Sequence, residues 1–410
     1  MISINLDHAS CSPLGPRVWQ AMKPFLEGSA GNPSSLYYQG RVAKKAVERA
    51  RAQVAEFLGA QDKEIIFTSS GTEANNLALK GLAFAQKSLG KHLVVAATEH
   101  HSILNPARAL TTLGFEITVL PVDRFGHVRL QELEEALRPD TLLVSIAYAN
   151  NEIGTVQPLA ELIKLTHQKD VLFHTDAVAA VGQIPIDVGD LGVDLLSLAG
   201  NALYGPQGTG ALFVRQGVRL APLLHGGIQE RGLRSGTENV AGLVGLGVAA
   251  SLATAEMESQ AKWLRQLRDR VIEGIYNRIP HVSLTGHPDQ RLPGHASFTV
   301  SYVEGESMLV SLDLEGIAAA SGSSCTARDL KISHVLTAIG VDHAEAQGSL
   351  VFTLGIDNTD DDIDRFLIEL PPIVERLRQM SPLYLRARQQ KGESVSPDSE
   401  PSAVETPGAE

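Results

Sequence analysis

The sequence predicts an α/β fold: a mostly parallel, seven-stranded sheet in a large domain, with a smaller α+β domain beside it. Two observations carry this. Short β-rich runs alternate with helical patterns through the first 255 residues, as expected for a sheet with helices on both faces, and the pattern changes from about residue 256. A chain of 410 residues, 43% hydrophobic and 20% charged, is long enough to bury two such cores.

Residues 41–58 come first, with Val42, Ala46/Val47, Ala50, Val54 and Phe57/Leu58 about a helical turn apart and Lys44, Lys45, Glu48, Arg49 and Arg51 between them. That spacing predicts an amphipathic helix. Seven strands follow: EIIF (64–67), HLVVAA (92–97), FEITVL (115–120), LLVSIAY (142–148), VLFHT (171–175), LLSL (195–198) and GALFV (210–214). The apolar stretch 240–255 contains Gly242, Gly245 and Gly247 and runs into Glu256, which suits a buried helix better than a membrane span. Beyond it lie a long charged helix, the alternating strand ASFTVSYV (296–303), a helix near 305–313, a strand at 349–354 and a helix near 359–379. The predicted division is 15–255 for the large domain, 1–14 with 256–384 for the small one, and 385–410 for a tail. Rich in Pro, Ser and Glu, that tail is expected to be disordered, since it cannot bury enough apolar area to offset chain entropy.

Charge narrows the function. Thirty-five basic against 47 acidic residues leave a net −12 with no Lys/Arg cluster, a poor surface for nucleic acid or anionic lipid. Two cysteines, Cys11 and Cys325, lie far apart, and MISINLDHAS lacks the basic and apolar regions of a signal peptide. A soluble cytoplasmic protein without a disulfide framework is the expectation.

Several polar residues are predicted at one edge of the sheet. In EIIFTSSGTEANN a strand turns into a helix, with Ser70 and Glu73 spaced as a capping box. The free N–H groups at that helix start and the Thr72 hydroxyl suit a phosphate, although most such starts merely cap. A Walker lysine and a G-x-G-x-x-G pattern are both absent, so something smaller than a nucleotide fits better. His100, Asn151 and Asp176 stand at or just past the C-terminal ends of predicted strands, where ligands of open α/β sheets sit. Singly, each reads equally well as a turn, cap or structural residue. Together, a ring over His100, a ring nitrogen at Asp176 and a phosphate at Gly71/Thr72 describe a pyridoxal phosphate site.

The ordered motifs GNPSS (31–35), FTSSGTEANN (67–76), TEHHSIL (98–104), NNEIG (150–154), HTDAVAAVG (174–182), YGPQGTGALFV (204–214), HGG (225–227), RSGTENV (234–240) and SGSSCTA (321–327) resemble those of cysteine desulfurases of the NifS/IscS type. These belong to the class V aminotransferase branch of the fold-type I pyridoxal phosphate proteins. The resemblance runs from LDHAS at 6 to SPLY at 384. It implies that Gly71, Thr72 and, from a partner subunit, Thr237 contact the cofactor phosphate. It further implies that His100 stacks on the ring, Asp176 pairs with the ring nitrogen and Asn151 approaches the ring oxygen or substrate. Cys325 matches the thiol that accepts sulfur as a persulfide, in the long-loop group that feeds iron–sulfur scaffolds and tRNA thiolation. Its alternative reading is a small buried hydrophobe.

Against that pattern, five positions depart. The family's Schiff-base lysine falls on Ala202 of Ala199-Gly200-Asn201-Ala202, so the internal covalent link and the base that moves substrate protons are both missing. Ala199 and Asn201 replace a Ser and His near the phosphate, Ala179 replaces a Gln near the ring oxygen, and Val351 replaces the Arg that clamps the substrate carboxylate. The resulting expectation is a degenerate desulfurase-like homodimer, binding pyridoxal phosphate non-covalently if at all. It would use Cys325 as a sulfur-accepting thiol or an iron–sulfur ligand and act with an iron–sulfur scaffold or other acceptor protein. Cys11 could be a second thiol or inert. Two alternatives stay open: an active enzyme with non-covalent cofactor and another base such as His101, or a regulatory partner of an active paralogue.

Overall fold

The computed structural model describes residues 4–10, 12–28, 31–322 and 332–390. Its strands are β1 (Ile4–Asn5), β2 (Ile65–Thr68), β3 (His92–Ala96), β4 (Glu116–Leu120), β5 (Thr141–Ser145), β6 (Leu172–Asp176), β7 (Leu195–Ala199), β8 (Gly210–Val214), β9 (Val282–Leu284), β10 (His295–Val300), β11 (Ile317–Ala318) and β12 (Ser349–Thr353). The helices used below are α1 (Pro16–Glu27), α2 (Tyr38–Leu58), α3 (Gly71–Asn76), which continues through a π-helical turn (Leu77–Gly81) into α4 (Leu82–Gln86), and α5 (His101–Thr111). After them come α6 (Leu130–Ala136), α7 (Leu159–His167), α8 (Val188–Leu191), α9 (Val240–Arg278), α10 (Gly305–Leu314), α11 (His334–Ala338), α12 (His343–Ala346), α13 (Asp360–Gln379) and α14 (Pro382–Gln390).

The seven predicted runs form one sheet in the order β2-β8-β7-β6-β5-β3-β4. Only β8 runs against its neighbours β2 and β7; every other pairing is parallel. Both faces are covered, which is why these strands are continuously apolar rather than alternating. Ile65, Phe67, Val94 and Phe173 face α1, α2, α7 and the first part of α9, whereas Ile66, Leu93, Val95 and Leu143 face α3, α4 and α5. This is the expected α/β architecture of fold-type I proteins, with β2, β3, β5, β6 and β7 all ending at one edge.

A second core gathers β10, β12, α10, α13 and the later part of α9, together with Ile4 and Leu6. Residues 255 and 256 lie inside α9, so the change of composition there is not a break in the chain's structure. One continuous 39-residue helix serves both cores, through Leu243, Leu246 and Ala249 at one end and Leu264, Leu267 and Val271 at the other. Among the described residues it is the one helix long and apolar enough to cross a membrane, and half of its apolar window is buried within the chain. Its small residues permit close packing: a Cβ on Gly247 would lie 2.6 Å from Ala50 Cα on α2.

Some expectations need adjusting. The strand expected over 296–303 ends at Val300, the chain turns at 301–303, and all six strand residues are buried, because β10 lies between β9 and β12 beneath helices. The expected capping box is half formed. Ser70 Oγ accepts from Glu73 N at 3.1 Å, but the Glu73 carboxylate turns to Ser69 and Arg234 instead of Ser70 N. Helix α14 continues to Gln390, past the predicted end of the folded chain at 384, and residues 391–410 lie outside the described residues.

Candidate active site

Gly71, Thr72, His100, Asn151 and Asp176, drawn from four sheet-edge loops, converge on one cavity of about 500 Å³. Ala179, Ala199, Asn201, Ala202 and Val351 line the same space. The seven-stranded sheet makes this convergence, because Gly71, Thr72, His100 and Asn151 follow strands that end at the shared edge and Asp176 and Ala199 end two more, while Val351 comes from β12 of the second core. Thr237 does not line the cavity; it is exposed on the segment before α9. Cys11 and Cys325 lie outside the described residues.

The floor is Asp176, at the end of β6 and 7% exposed. Asn75 Nδ2 donates to its Oδ2 at 2.6 Å and Val178 N to its Oδ1 at 2.9 Å. Burial raises its pKa above the ordinary carboxylate value, partly countered by those two donors and by nearby His100. The same Asn75 amide donates to Ser102 Oγ at 2.8 Å, and Ser102 Oγ lies 2.7 Å from His100 Nδ1. Since Ser102 N–H also donates to Nδ1, that nitrogen is an acceptor, and a neutral His100 carries its proton on Nε2. A chain of hydrogen bonds therefore fixes the His100 ring relative to the Asp176 carboxylate. Neither Asn75 nor Ser102 stands out in the sequence. Asn75 does share the inward face of α3 with Gly71, four residues earlier, and this spacing is the one available signal.

The wall formed by NNEIG is a tight turn. Asn150 Oδ1 accepts from Glu152 N and Ile153 N, its Nδ2 donates to Thr98 O at 2.9 Å, and Gly154 has φ +73°, where a Cβ would strike the His295 ring. His295, held neutral by burial with a pKa of about 3, donates from Nε2 to Asn151 O at 3.0 Å. Beside this turn Glu152, raised to about 7 by burial, accepts from Ser333 Oγ.

One more acid, Glu99, and one more histidine, His8, carry no signal in the sequence. Glu99 is 1% exposed; Oε1 accepts from Ala147 N at 2.8 Å while Oε2 has no partner among the described residues, and burial raises its pKa well above the ordinary value. His8 lines the cavity 6% exposed with neither ring nitrogen making a well-aligned hydrogen bond among the described residues. His101, by contrast, is not part of the cavity wall; its ring packs 4.7 Å from that of His334. Among the described residues no group of three or more His, Cys, Asp or Glu is placed to hold a metal ion.

Residues 4–366 match the family model for class-V aminotransferases. The chain is 50% identical over 379 residues to the cysteine desulfurase IscS of Dictyoglomus turgidum, covering 92% of this chain and 96% of that one. The chain belongs to the class-V aminotransferases, in their IscS/NifS cysteine desulfurase branch. The IscS of Methanosarcina thermophila is likewise 50% identical, covering 93% of this chain and 94% of its own. Among solved structures a NifS-like protein superimposes with a TM-score of 0.87 at 35% identity, over 92% of this chain and all of that one. The class-V aminotransferases of this branch depend on pyridoxal phosphate, and the cavity at the sheet edge is the place to test for it.

Proposed function

We propose that this chain is a desulfurase-type protein that handles sulfur through Cys325 without desulfurating cysteine by the family's lysine-dependent route. The observation that carries the proposal is the cavity wall: among its described residues there is no lysine, and Ala202 stands where the family motif has one.

The remaining residues still suit a pyridine ring with a phosphate. Asp176 is a buried carboxylate whose described partners include no cation, a natural counterpart for a protonated ring nitrogen. His100, locked by Ser102, offers a ring face. Gly71 keeps the start of α3 bare where a Cβ would meet Val178 Cγ2 at 2.5 Å. Bound there, the cofactor would withdraw electrons from a substrate carbon. Gly71 and Thr72, with Thr237 of a second subunit, would hold its phosphate, and Asp176 would hold its ring nitrogen. Covalent anchorage and proton transfer by a lysine have no described residue to perform them. Val351, at 5% exposure within β12, offers a substrate carboxylate no charge.

Sulfur handling by Cys325 would then be exchange. Its thiolate attacks the outer sulfur of a donor persulfide R–S–SH, one S–S bond forms as another breaks, and R–S⁻ departs with no net redox change. The acceptor downstream would be an iron–sulfur scaffold or another acceptor protein.

The test is alanine release from L-cysteine by the purified chain with added pyridoxal phosphate. Turnover is expected at least about 100-fold below that of the Ala202→Lys variant, the scale of a lost general acid–base group. A persulfide donor should label Cys325, and the label should vanish in Cys325→Ser. Multiple turnovers by the unaltered chain would overturn the proposal and identify an active enzyme with another base.

A further inference from the structure

The cavity is rich in acids and has nothing described that can fasten an aldehyde. Asp7, Glu152, Asp176 and Glu256 line it, and the only lysine or arginine among its described lining residues is Arg17, which is paired with Glu256 at 2.6 Å. At Ala202 the side chain ends in a methyl group. His8 is the second independent observation. It is a buried ring packed over Gly355, where a Cβ would meet it at 2.2 Å; neither nitrogen makes a well-aligned hydrogen bond among the described residues, and the Asn5 backbone is its one hydrogen-bonding neighbour, which leaves a lone pair toward the cavity. Its centroid lies 6.1 Å from that of Tyr204, two residues beyond Ala202. Burial lowers its pKa, so near pH 7 it is a neutral imidazole with a lone pair to offer.

An aldehyde gains its hold on a protein of this kind by bonding to an amine; left free, it accepts hydrogen bonds and brings no positive charge. An aminomethyl group at the same ring carbon is a cation at neutral pH, with three protons to donate. Asp176 is given to the ring nitrogen and Glu256 to Arg17, which leaves Asp7, Glu152 and the His8 imidazole to meet that cation, and charge-assisted contacts of this kind are the strong ones.

We propose that this cavity binds the amine form of the cofactor, pyridoxamine phosphate, in preference to the aldehyde form, its ammonium replacing the missing lysine nitrogen as the cation among these acids and His8 accepting one of its protons. The inference rests on the cofactor-site reading above, and it makes the site a non-covalent receptor for an amine.

Calorimetric titration of the full chain with pyridoxamine phosphate, pyridoxal phosphate, pyridoxamine and inorganic phosphate, each alone, tests it. Pyridoxamine phosphate is expected to bind at least about tenfold more tightly than pyridoxal phosphate, and His8→Phe to remove most of that advantage while leaving the aldehyde's affinity unchanged. Ala202→Lys should invert the order and leave a borohydride-fixed mass increase of one cofactor on the intact protein. Equal or tighter binding of the aldehyde, or a borohydride-fixed adduct on any lysine of the unaltered chain, overturns the inference and leaves the cofactor-site reading standing. Inorganic phosphate matching pyridoxamine phosphate reduces the site to an anion contact and overturns the inference too. Binding of neither cofactor form overturns the reading on which it rests. If His8→Phe fails to fold, Ala202→Lys still decides.

Discussion

Glu152 shows how one side chain at the cavity couples burial to pH. Its carboxyl is pushed from the ordinary 4.5 to about 7 by loss of water, with the Ser333 hydroxyl as a partial compensation. The unfolded chain ionises first, so folded stability falls as the pH rises from about 4.5 and is fully reduced above about 7. Glu152→Gln keeps an oxygen to accept from Ser333 and removes the charge. The expected melting temperature equals that of the unaltered chain near pH 5 and exceeds it by about 2–5 °C at pH 8, for about 1–3 kcal/mol relieved. An offset of the same size at both pH values would exclude burial of the charge as its cause. The motif NNEIG displays Glu152 in the sequence, but nothing there says that it faces inward, because its burial comes from Gly322 and Ser333, more than 160 positions away. His8 was invisible for the same reason, since the glycine it packs on is Gly355. Gly71, His100 and Asp176 were legible because each sits at a strand end, a local property that a sheet of known direction converts into a shared place.

Among elements, α9 joins the two cores and looks least like one unit in the sequence. Its apolar first half and charged second half look like two units in sequence, yet a helix needs only its own backbone to continue, and each half finds a different core. The strands were legible because burial on both faces makes them short apolar runs. Strands β9 and β11, three and two residues long, have no such run and exist through their pairing with β10 and β1. The glycines of α9 mark a buried helix, and their geometry says where the contact is. At Gly247 a Cβ would stand 2.6 Å from Ala50 Cα and 2.9 Å from Ala50 Cβ, the first being backbone that cannot rotate away. Alanine in a helix gains about 1 kcal/mol over glycine. Overpacking of this kind costs about 1–3 kcal/mol and forces α2 and α9 apart. Gly247→Ala is therefore expected to lower the melting temperature despite its better helix propensity, measured by circular dichroism. A rise would mean that the helices are less closely packed than described.

At the scale of the whole molecule, the segment before α9 is held to its own protomer and presents its end outward. Glu230 accepts from Arg51 at 2.7 and 2.8 Å and from Phe67 N at 2.8 Å, and Arg234 pairs with Glu73 at 2.9 Å. Glu230 and Arg231 adopt left-handed φ of +46° and +58°, conformations that non-glycine residues keep only when their surroundings impose them. So anchored, the segment leaves Ile228 89% exposed in a hollow it shares with Pro33 and Ser34, and Leu36, Tyr37 and Tyr38, which lead from there into α2, are exposed as well. Large apolar side chains displayed on the segment that also carries Thr237 support the proposal that a second copy of the chain docks here, each lending Thr237 to the other's phosphate site. Sedimentation should then give twice the chain mass, with Ile228→Glu shifted toward the monomer, since burying one isoleucine contributes about 1.5–3 kcal/mol and a buried unpaired charge costs more. Thr237→Ala should leave the mass unchanged and weaken cofactor retention alone. If Ile228→Glu dissociates the dimer without weakening retention, the phosphate site is complete within one protomer and Thr237 has no part in it.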